Sequence, residues 1–327
     1  MTSKFSFLFL AIATIFCTAN ACTSFYCINQ CGTSKTNKGY KFVLANNRDE
    51  DIYRLTTSAK AWPPRDMQTF RLTQSSAPAD CDQSMMKPPF NVCAYGALDL
   101  AIANPPEIYS TWLGLNERGL IGNLLFYMKG VDWPGKFSRG IVVSASIMNS
   151  SWPNTEAYMK YLEANRDFFK SYNYVQAEMS PTTGNYDMYY FNNVQGKPHV
   201  KLNPNQNQPF IFGISNSNPE QQFNKAVMGQ QKMKEFIDRF AEVSDKIALK
   251  NSLLELLQNT TDNYPDPNLE EFLGVKIPLV VRGISRVKAD YGVAISRTYS
   301  RTSTIILIDY DDNVEYFEYN MSSWSTL

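Results

Sequence analysis

The sequence predicts an α+β protein built from two packed antiparallel sheets with helices on the outside. Strand-forming runs lie at both ends of the chain, helical spacing is confined to its interior, and turn residues separate neighbouring strands. Cys22–Ile28 and Lys41–Asn46 read as strands joined by a polar, Gly-containing loop, which makes a hairpin. Residues 60–109 are rich in Pro, Ser and Gln, carry Cys81 and Cys93, and read as a long decorated loop. Thr111–Leu115 and Leu120–Tyr127 flank the turn Asn116-Glu117-Arg118-Gly119 and form a second strand pair.

Three helical segments are expected. Asn154 caps the first, running to about Phe169, with Tyr158, Tyr161, Leu162 and Phe168 on one face. The second spans Pro219 to about Ala241, with Phe223, Val227, Phe236, Ile237 and Phe240 at helical spacing. Ser244 or Asp245 caps the third, which carries Ile247, Leu253, Leu254 and Leu257 and stops before Tyr264-Pro265-Asp266-Pro267. Further strands are expected at Tyr186–Phe191, Val200–Leu202, Phe210–Ile214, Tyr291–Ser296, Thr304–Asp309 and Val314–Tyr319. Asp311-Asp312-Asn313 is the turn between the last two.

Residues 1–21 carry a charged start, an apolar run from Phe5 to Phe16 and Ala19-Asn20-Ala21, the pattern of a secretory signal. Cutting after Ala21 leaves residues 22–327 as one domain beginning Cys22-Thr23-Ser24-Phe25. A terminal cysteine holds a thiol and a free α-amine on one framework. The amine titrates at about 7.7–8 and the thiol at about 8.5, so one can serve the other as base. Two other readings stand beside this one: cleavage after Ala19, which places Cys22 third, or a lipoprotein signal with Cys22 lipidated.

Thirty-one basic and 31 acidic residues cancel, with no basic block, so nucleic-acid binding has no electrostatic support. A hydrophobic content of 44% against 19% charged residues predicts a globular core. Beyond the signal no apolar run approaches the roughly 20 residues of a membrane helix. A secreted or lumenal protein is expected. Of six cysteines, Cys17 lies in the signal, leaving Cys22, Cys27, Cys31, Cys81 and Cys93. An odd number in an oxidising compartment leaves one thiol over. With Cys22 free, three pairings of the other four remain, and proximity favours Cys27–Cys31 and Cys81–Cys93. One histidine and no C-x-x-C pair argue against zinc, and no cofactor is implied. Sequons at Asn149, Asn259 and Asn320 fit a eukaryotic secretory route.

Asn46-Asn47-Arg48-Asp49-Glu50 closes the strand after the N-terminal one. Asp49 is placed to hold or orient an α-ammonium, and Arg48 to bind negative charge; a surface turn with a local ion pair is the plainer reading. Gly213-Ile214-Ser215-Asn216-Ser217-Asn218-Pro219, between a strand and a helix, offers amides for an oxyanion or, equally, ordinary caps. Arg297 and Arg301 flank Tyr299-Ser300 before a strand, where plain surface charges are common. His199 has no partner visible in sequence and is read as exposed or structural. Without it no histidine triad can be built, which leaves a cysteine–amine mechanism.

Together these motifs resemble the NRDE family, named for Asn-Arg-Asp-Glu, which includes the transport and Golgi organisation protein 2 group. The matching stretches are Cys22 at the mature start, Ala45 to Glu50, Thr111-Trp112-Leu113-Gly114 with Arg118-Gly119, Ser138-Arg139-Gly140, Gly213 to Asn216, Pro265-Asp266-Pro267 and Arg301 to Asp309. They keep family order over nearly the whole mature chain. The family is distantly similar to N-terminal nucleophile hydrolases of the choloylglycine hydrolase, penicillin V acylase and acid ceramidase type. That resemblance implies an αββα sandwich, with Cys22 as nucleophile, Asp49 supporting the amine and Asn216 binding the oxyanion. A further oxyanion Asn expected before Tyr127 is Phe126 here, and Asn123 is the nearby substitute; Arg48 and Arg301 complete the substrate-binding candidates.

Two functions follow. One is a hydrolase cleaving an amide or thioester of a small acyl or lipid-like substrate. The other, implied by the resemblance, is a non-catalytic secretory-pathway or Golgi organisation factor, or a carrier of haem or another hydrophobic molecule.

Overall fold

A computed structural model of the chain describes residues 22–31, 39–51, 54–62, 92–100, 110–127, 137–205, 208–240, 243–259, 265–269 and 298–320. The expected strand Tyr291–Ser296, the signal segment, Arg297 and Cys81 lie outside these residues. The chain divides into two compact units, residues 54–210 and the remainder from both ends. Each holds an antiparallel sheet with helices, so the class is α+β as expected.

Among its described residues, the unit formed by the two chain ends carries five strands: β1 (Thr23–Cys31), β2 (Tyr40–Asp51), β10 (Phe210–Ile214), β11 (Thr298–Asp309) and β12 (Val314–Asn320). Their order is β10-β1-β2-β11-β12, so the first hairpin sits at the centre with the last one beside it. Among the described residues of this unit are the helices α3 (Asn224–Arg239) and α4 (Lys246–Leu257). Phe25, Cys27, Val43, Ala45, Ile305 and Leu307 form one apolar core with Met233, Ile237, Leu249, Leu253 and Leu256 of these helices. The alternation is legible: residues two apart on β1, β2 and β11 supply that layer. Cys27 and Cys31 are disulfide-bonded across an irregularity in β1, where Asn29 takes φ 58°.

Helix α3 starts at Asn224, later than the predicted Pro219, because its cap is built from afar. The buried Asp266 carboxylate accepts from Asn224 N at 2.9 Å and from Leu269 N at 3.1 Å. A carboxylate there meets both an orphan N–H and the positive end of the helix dipole. The β11–β12 turn closes on Asp309, whose Oδ1 accepts from Asp311 N and Asn313 N, each at 2.9 Å.

The other unit is a meander in chain order: β3 (Lys60–Trp62), β4 (Ala94–Gly96), β5 (Leu113–Asn116), β6 (Ile121–Phe126), β7 (Tyr172–Met179), β8 (Tyr186–Asn192) and β9 (Val200–Lys201). The predicted loop 60–109 thus holds two short strands within its described residues, and β7 is an addition to the expected strands. Helix α1 (Gly140–Met148) is also absent from the expected elements. Every residue of it is buried, so no polar face marks a helical period in the sequence. Helix α2 (Thr155–Ala164) begins where expected, with Asn154 Oδ1 accepting from Ala157 N at 2.9 Å. It then gives way to a 3-10 turn over Arg166–Phe168. Trp62, Val143, Ile147, Tyr158, Tyr174 and Phe191 lie in one core with both helices.

Helix α3 crosses β1 so closely that a Cβ on Gly229 would stand 2.1 Å from the buried Phe25 ring. Alanine at an open helix position gains about 1 kcal/mol over glycine. Here Gly229→Ala should instead lose about 1–3 kcal/mol by overpacking, read as a lower midpoint in urea unfolding.

Candidate functional site

Cys22 stands one residue before β1, and strand register determines its surroundings. Thr23 pairs with Asn47 and Ser24 with Asn46. On the other side of β2, Ser303 pairs with Asn47, Thr302 with Arg48 and Ser300 with Asp49. Arg301 is the extra residue of a bulge between Ser300 and Thr302. Without that bulge Ser300 and Ser303 would face opposite ways; with it, both hydroxyls reach the same face of β2.

The Asn46–Glu50 run therefore lies inside a central strand and is buried, where a surface turn was the plainer expectation. Each of these five side chains has at least one polar partner. Ser300 Oγ donates to Asp49 Oδ1 at 2.5 Å, and Asp49 is only 1% exposed. Ser303 Oγ donates to Asn47 Oδ1 at 2.6 Å, while Asn47 Nδ2 donates to the Leu257 carbonyl at 2.6 Å. Asn47 thereby ties the sheet to the end of α4. On the opposite face Asn46 Nδ2 donates to Ser24 Oγ at 2.8 Å. Arg48 sits 3.4 Å from Glu50, an ion pair within the motif itself.

Cys22 is 8% exposed and its thiol donates to the Asp49 carbonyl oxygen at 3.7 Å. Ser215, just after β10, donates to the Cys22 carbonyl at 2.8 Å. Its Oγ also lies 3.2 Å from Asn216 Oδ1 and 3.5 Å from Thr23 Oγ1. A serine has one hydroxyl proton, so the shorter approach to Cys22 takes it. Asn216 is fully buried beside this pair. Cys22, Asp49, Arg48, Arg301 and Asn216 thus gather around the central strands of one unit. Asn123 belongs to the other unit, buried on β6 between Leu113 and Val175.

Burial pushes the Cys22 thiol up to about 11, and the Asp49 charge adds to it. In the uncut chain the Cys22 nitrogen is a peptide nitrogen, so no α-amine is present to take the proton. A thiol at about 11 is ionised to about one part in ten thousand at pH 7, which leaves it unreactive.

Of the two readings of His199, exposed or structural, the structure shows the second: its Nδ1 lies 2.7 Å from Glu163 Oε1, and its backbone N–H meets the same oxygen. It has a structural partner far from Cys22 in sequence. Cys93 holds a free, exposed thiol. Among the described residues no group of three His, Cys, Asp or Glu side chains could hold a metal. Nor is any described helix long and apolar enough to cross a membrane.

Ser215, Ser300 and Ser303 are the residues that sequence reasoning missed as parts of the site. Each lies within or beside a quoted motif, but their partners are set by register, which the sequence does not display.

A family profile described as Transport and Golgi organisation 2 matches residues 26–70 and 90–323. A mouse Transport and Golgi organization 2 homolog is 28% identical over 221 residues, covering 66% of this chain and 75% of its own. The bovine homolog is 25% identical over 289 residues, 88% of each chain. The Drosophila melanogaster protein is 24% identical over 313 residues, 92% of each. Among solved structures, a variant of conjugated bile acid hydrolase from Clostridium perfringens aligns at TM-score 0.42 and 11% identity, over 92% of this chain and 93% of that one.

Two outcomes are expected. Ser300→Ala leaves the Asp49 carboxylate short of a donor and should cost about 1–3 kcal/mol in chemical unfolding, whereas Ser300→Thr retains most of the stability. In the uncut native chain, iodoacetamide at pH 7 should label Cys93 and spare Cys22, as peptide mass spectrometry would show.

Proposed function

The chain belongs to the Transport and Golgi organisation 2 family, and from that premise we propose that it acts as a secreted or lumenal cysteine hydrolase of amides or thioesters. The observation behind this reading is the convergence on Cys22: the Asp49 carbonyl holds its thiol, Ser215 holds its carbonyl, and Asn216 lies beside them. All this surrounds the residue that signal removal would leave first.

In the proposed reaction, cleavage after Ala21 frees the Cys22 α-amine. The amine takes the thiol proton as Sγ attacks the substrate carbonyl. The oxyanion is held by N–H donors, Asn216 among them. Collapse breaks the C–N or C–S bond, and the α-ammonium returns the proton to the leaving amine or thiol. Water then cleaves the acyl-Cys22 thioester with the amine again as base. Asp49, already carrying a hydroxyl partner, balances the ammonium; Arg48 and Arg301 supply positive charge for an acidic end of the substrate. A small acyl or lipid-like substrate is the class proposed.

A second reading is a non-catalytic carrier or secretory-pathway organisation factor, with a haem-like or lipid-like cargo. The burial of Cys22 favours it, as do the relatives' names, which speak of transport and Golgi organisation.

Incubating the processed chain with a panel of acyl amides and thioesters, then quenching in acid, tests the first reading. An acyl adduct confined to the Cys22 peptide, with turnover lost in Cys22→Ala, is expected. Unmodified Cys22 across the panel, with Cys22→Ala binding hydrophobic probes as wild type does, would favour the carrier.

A further inference from the structure

The unit spanning residues 54–210 holds a cavity of about 350 Å³ that the chemistry around Cys22 does not use. That volume lies within the roughly 300–1,000 Å³ of small-molecule sites. Much of its polar lining is closed. Ser146 Oγ donates to Gln176 Oε1 at 3.1 Å and Gln176 Nε2 donates to Thr155 Oγ1 at 2.8 Å, and these residues are almost fully enclosed. Trp152 is held against Tyr158 and Tyr161, with ring centroids 5.1 Å away in each case. Its indole nitrogen is buried, so its ring offers the cavity carbon alone. Leu120 and Met179 add further apolar lining.

Two charges of opposite sign remain open on this lining. Arg118 lies exposed in the turn between β5 and β6, and its guanidinium has no hydrogen-bond or ion-pair partner among the described residues. The turn beneath it is fixed. Asn116 Oδ1 accepts from Arg118 N at 2.9 Å and from Leu120 N at 3.0 Å, while Asn116 Nδ2 donates to the Ile147 carbonyl at 2.7 Å. Glu178, partly buried on β7, accepts through Oε2 from Thr155 N at 2.9 Å, at the start of α2. Its Oε1 has no partner among the described residues. The residue opposite it on β8 is another acid, Asp187, whose own cation is Lys201 at 2.6 Å. Arg118 and Glu178 thus line one cavity without pairing with each other.

We propose that this cavity binds a small zwitterion of the amino-acid or dipeptide type, its carboxylate on Arg118, its ammonium on Glu178 and its apolar part on the ring carbons of Trp152. A guanidinium receives a carboxylate on two parallel N–H donors, and Glu178 Oε1 is free to accept from an ammonium. The choice of a doubly charged ligand follows from desolvation. A singly charged occupant would enclose the other protein charge without a partner, and an uncharged one would enclose both. Both anchors are held in advance, Arg118 through the Asn116 turn and Glu178 through the start of α2, so little order has to be created on binding. Occupancy of this cavity requires neither signal removal nor the Cys22 thiol.

Isothermal titration calorimetry of the full chain tests this with zwitterions that differ in the span between their charges: L-leucine, leucylglycine and 6-aminohexanoate. For the tightest of them, the amide and the N-acetyl derivative each lose one charge and should bind about tenfold more weakly, the scale of one charge-assisted hydrogen bond. Two variants then assign the ends. Arg118→Gln should weaken the zwitterion about tenfold and erase its advantage over the amide, while the advantage over the N-acetyl derivative persists. Glu178→Gln, whose amide oxygen can still accept from Thr155 N, should do the reverse. Saturable binding with this crossed pattern is the expected result. Absence of saturable binding by every zwitterion in the panel would overturn the proposal. So would equal binding of zwitterion, amide and N-acetyl derivative, an affinity unchanged in both variants, or two preferences that fall together in each variant.

Discussion

The site depends on a buried carboxylate that the sheet has to satisfy. Asp49 is almost fully enclosed in the middle of a five-stranded sheet, where an isolated charge would be untenable. Ser300 meets it only because β11 bulges at Arg301, and the same bulge sends Ser303 to Asn47. Removing the extra residue would turn one of the two hydroxyls to the opposite face. The geometry near Cys22 therefore rests on a strand contributed from the far end of the chain. This links the last hairpin to the first across more than two hundred intervening residues, as the 251-residue separation of Ser300 and Asp49 shows. Such pairing is slow to form but, once formed, holds the two ends of the chain to one register.

A second consequence concerns the timing of reactivity. While Cys22 is an internal residue, burial and the Asp49 charge keep its thiol protonated. Signal removal changes the one missing quantity, a titratable amine on the same residue. In the proposed account, processing supplies the base and the fold supplies the donors. The carrier reading needs neither event, which is why the chemistry at the terminus separates the two.

Much of the fold was legible because it follows period and punctuation. The N-terminal hairpin, the Asn116–Gly119 turn, the Asn154 cap and the Asp311–Asn313 turn all stand where local chemistry put them. What was missed has a common cause. Helix α1 is buried on every side, so its sequence, Gly-Ile-Val-Val-Ser-Ala-Ser-Ile-Met, carries no helical period. Helix α3 begins late because its cap, Asp266, comes from far along the chain. Cys22, Asp49 and Asn216 were singled out through motifs, and the structure places all three on the central strands or beside them, whereas the Glu163 partner of His199 was not foreseen. Ser215, Ser300 and Ser303 were not assigned roles, because a serine acquires its partner through register, a long-range property.

The central claim is that processing turns Cys22 into a free nucleophile. N-terminal peptide mass spectrometry of the secreted protein, with iodoacetamide added before any reduction, tests it most directly. The account predicts a chain beginning at Cys22 whose terminal thiol is alkylated. A chain beginning at Asn20, or a Cys22 bound in a disulfide or carrying lipid, would contradict it.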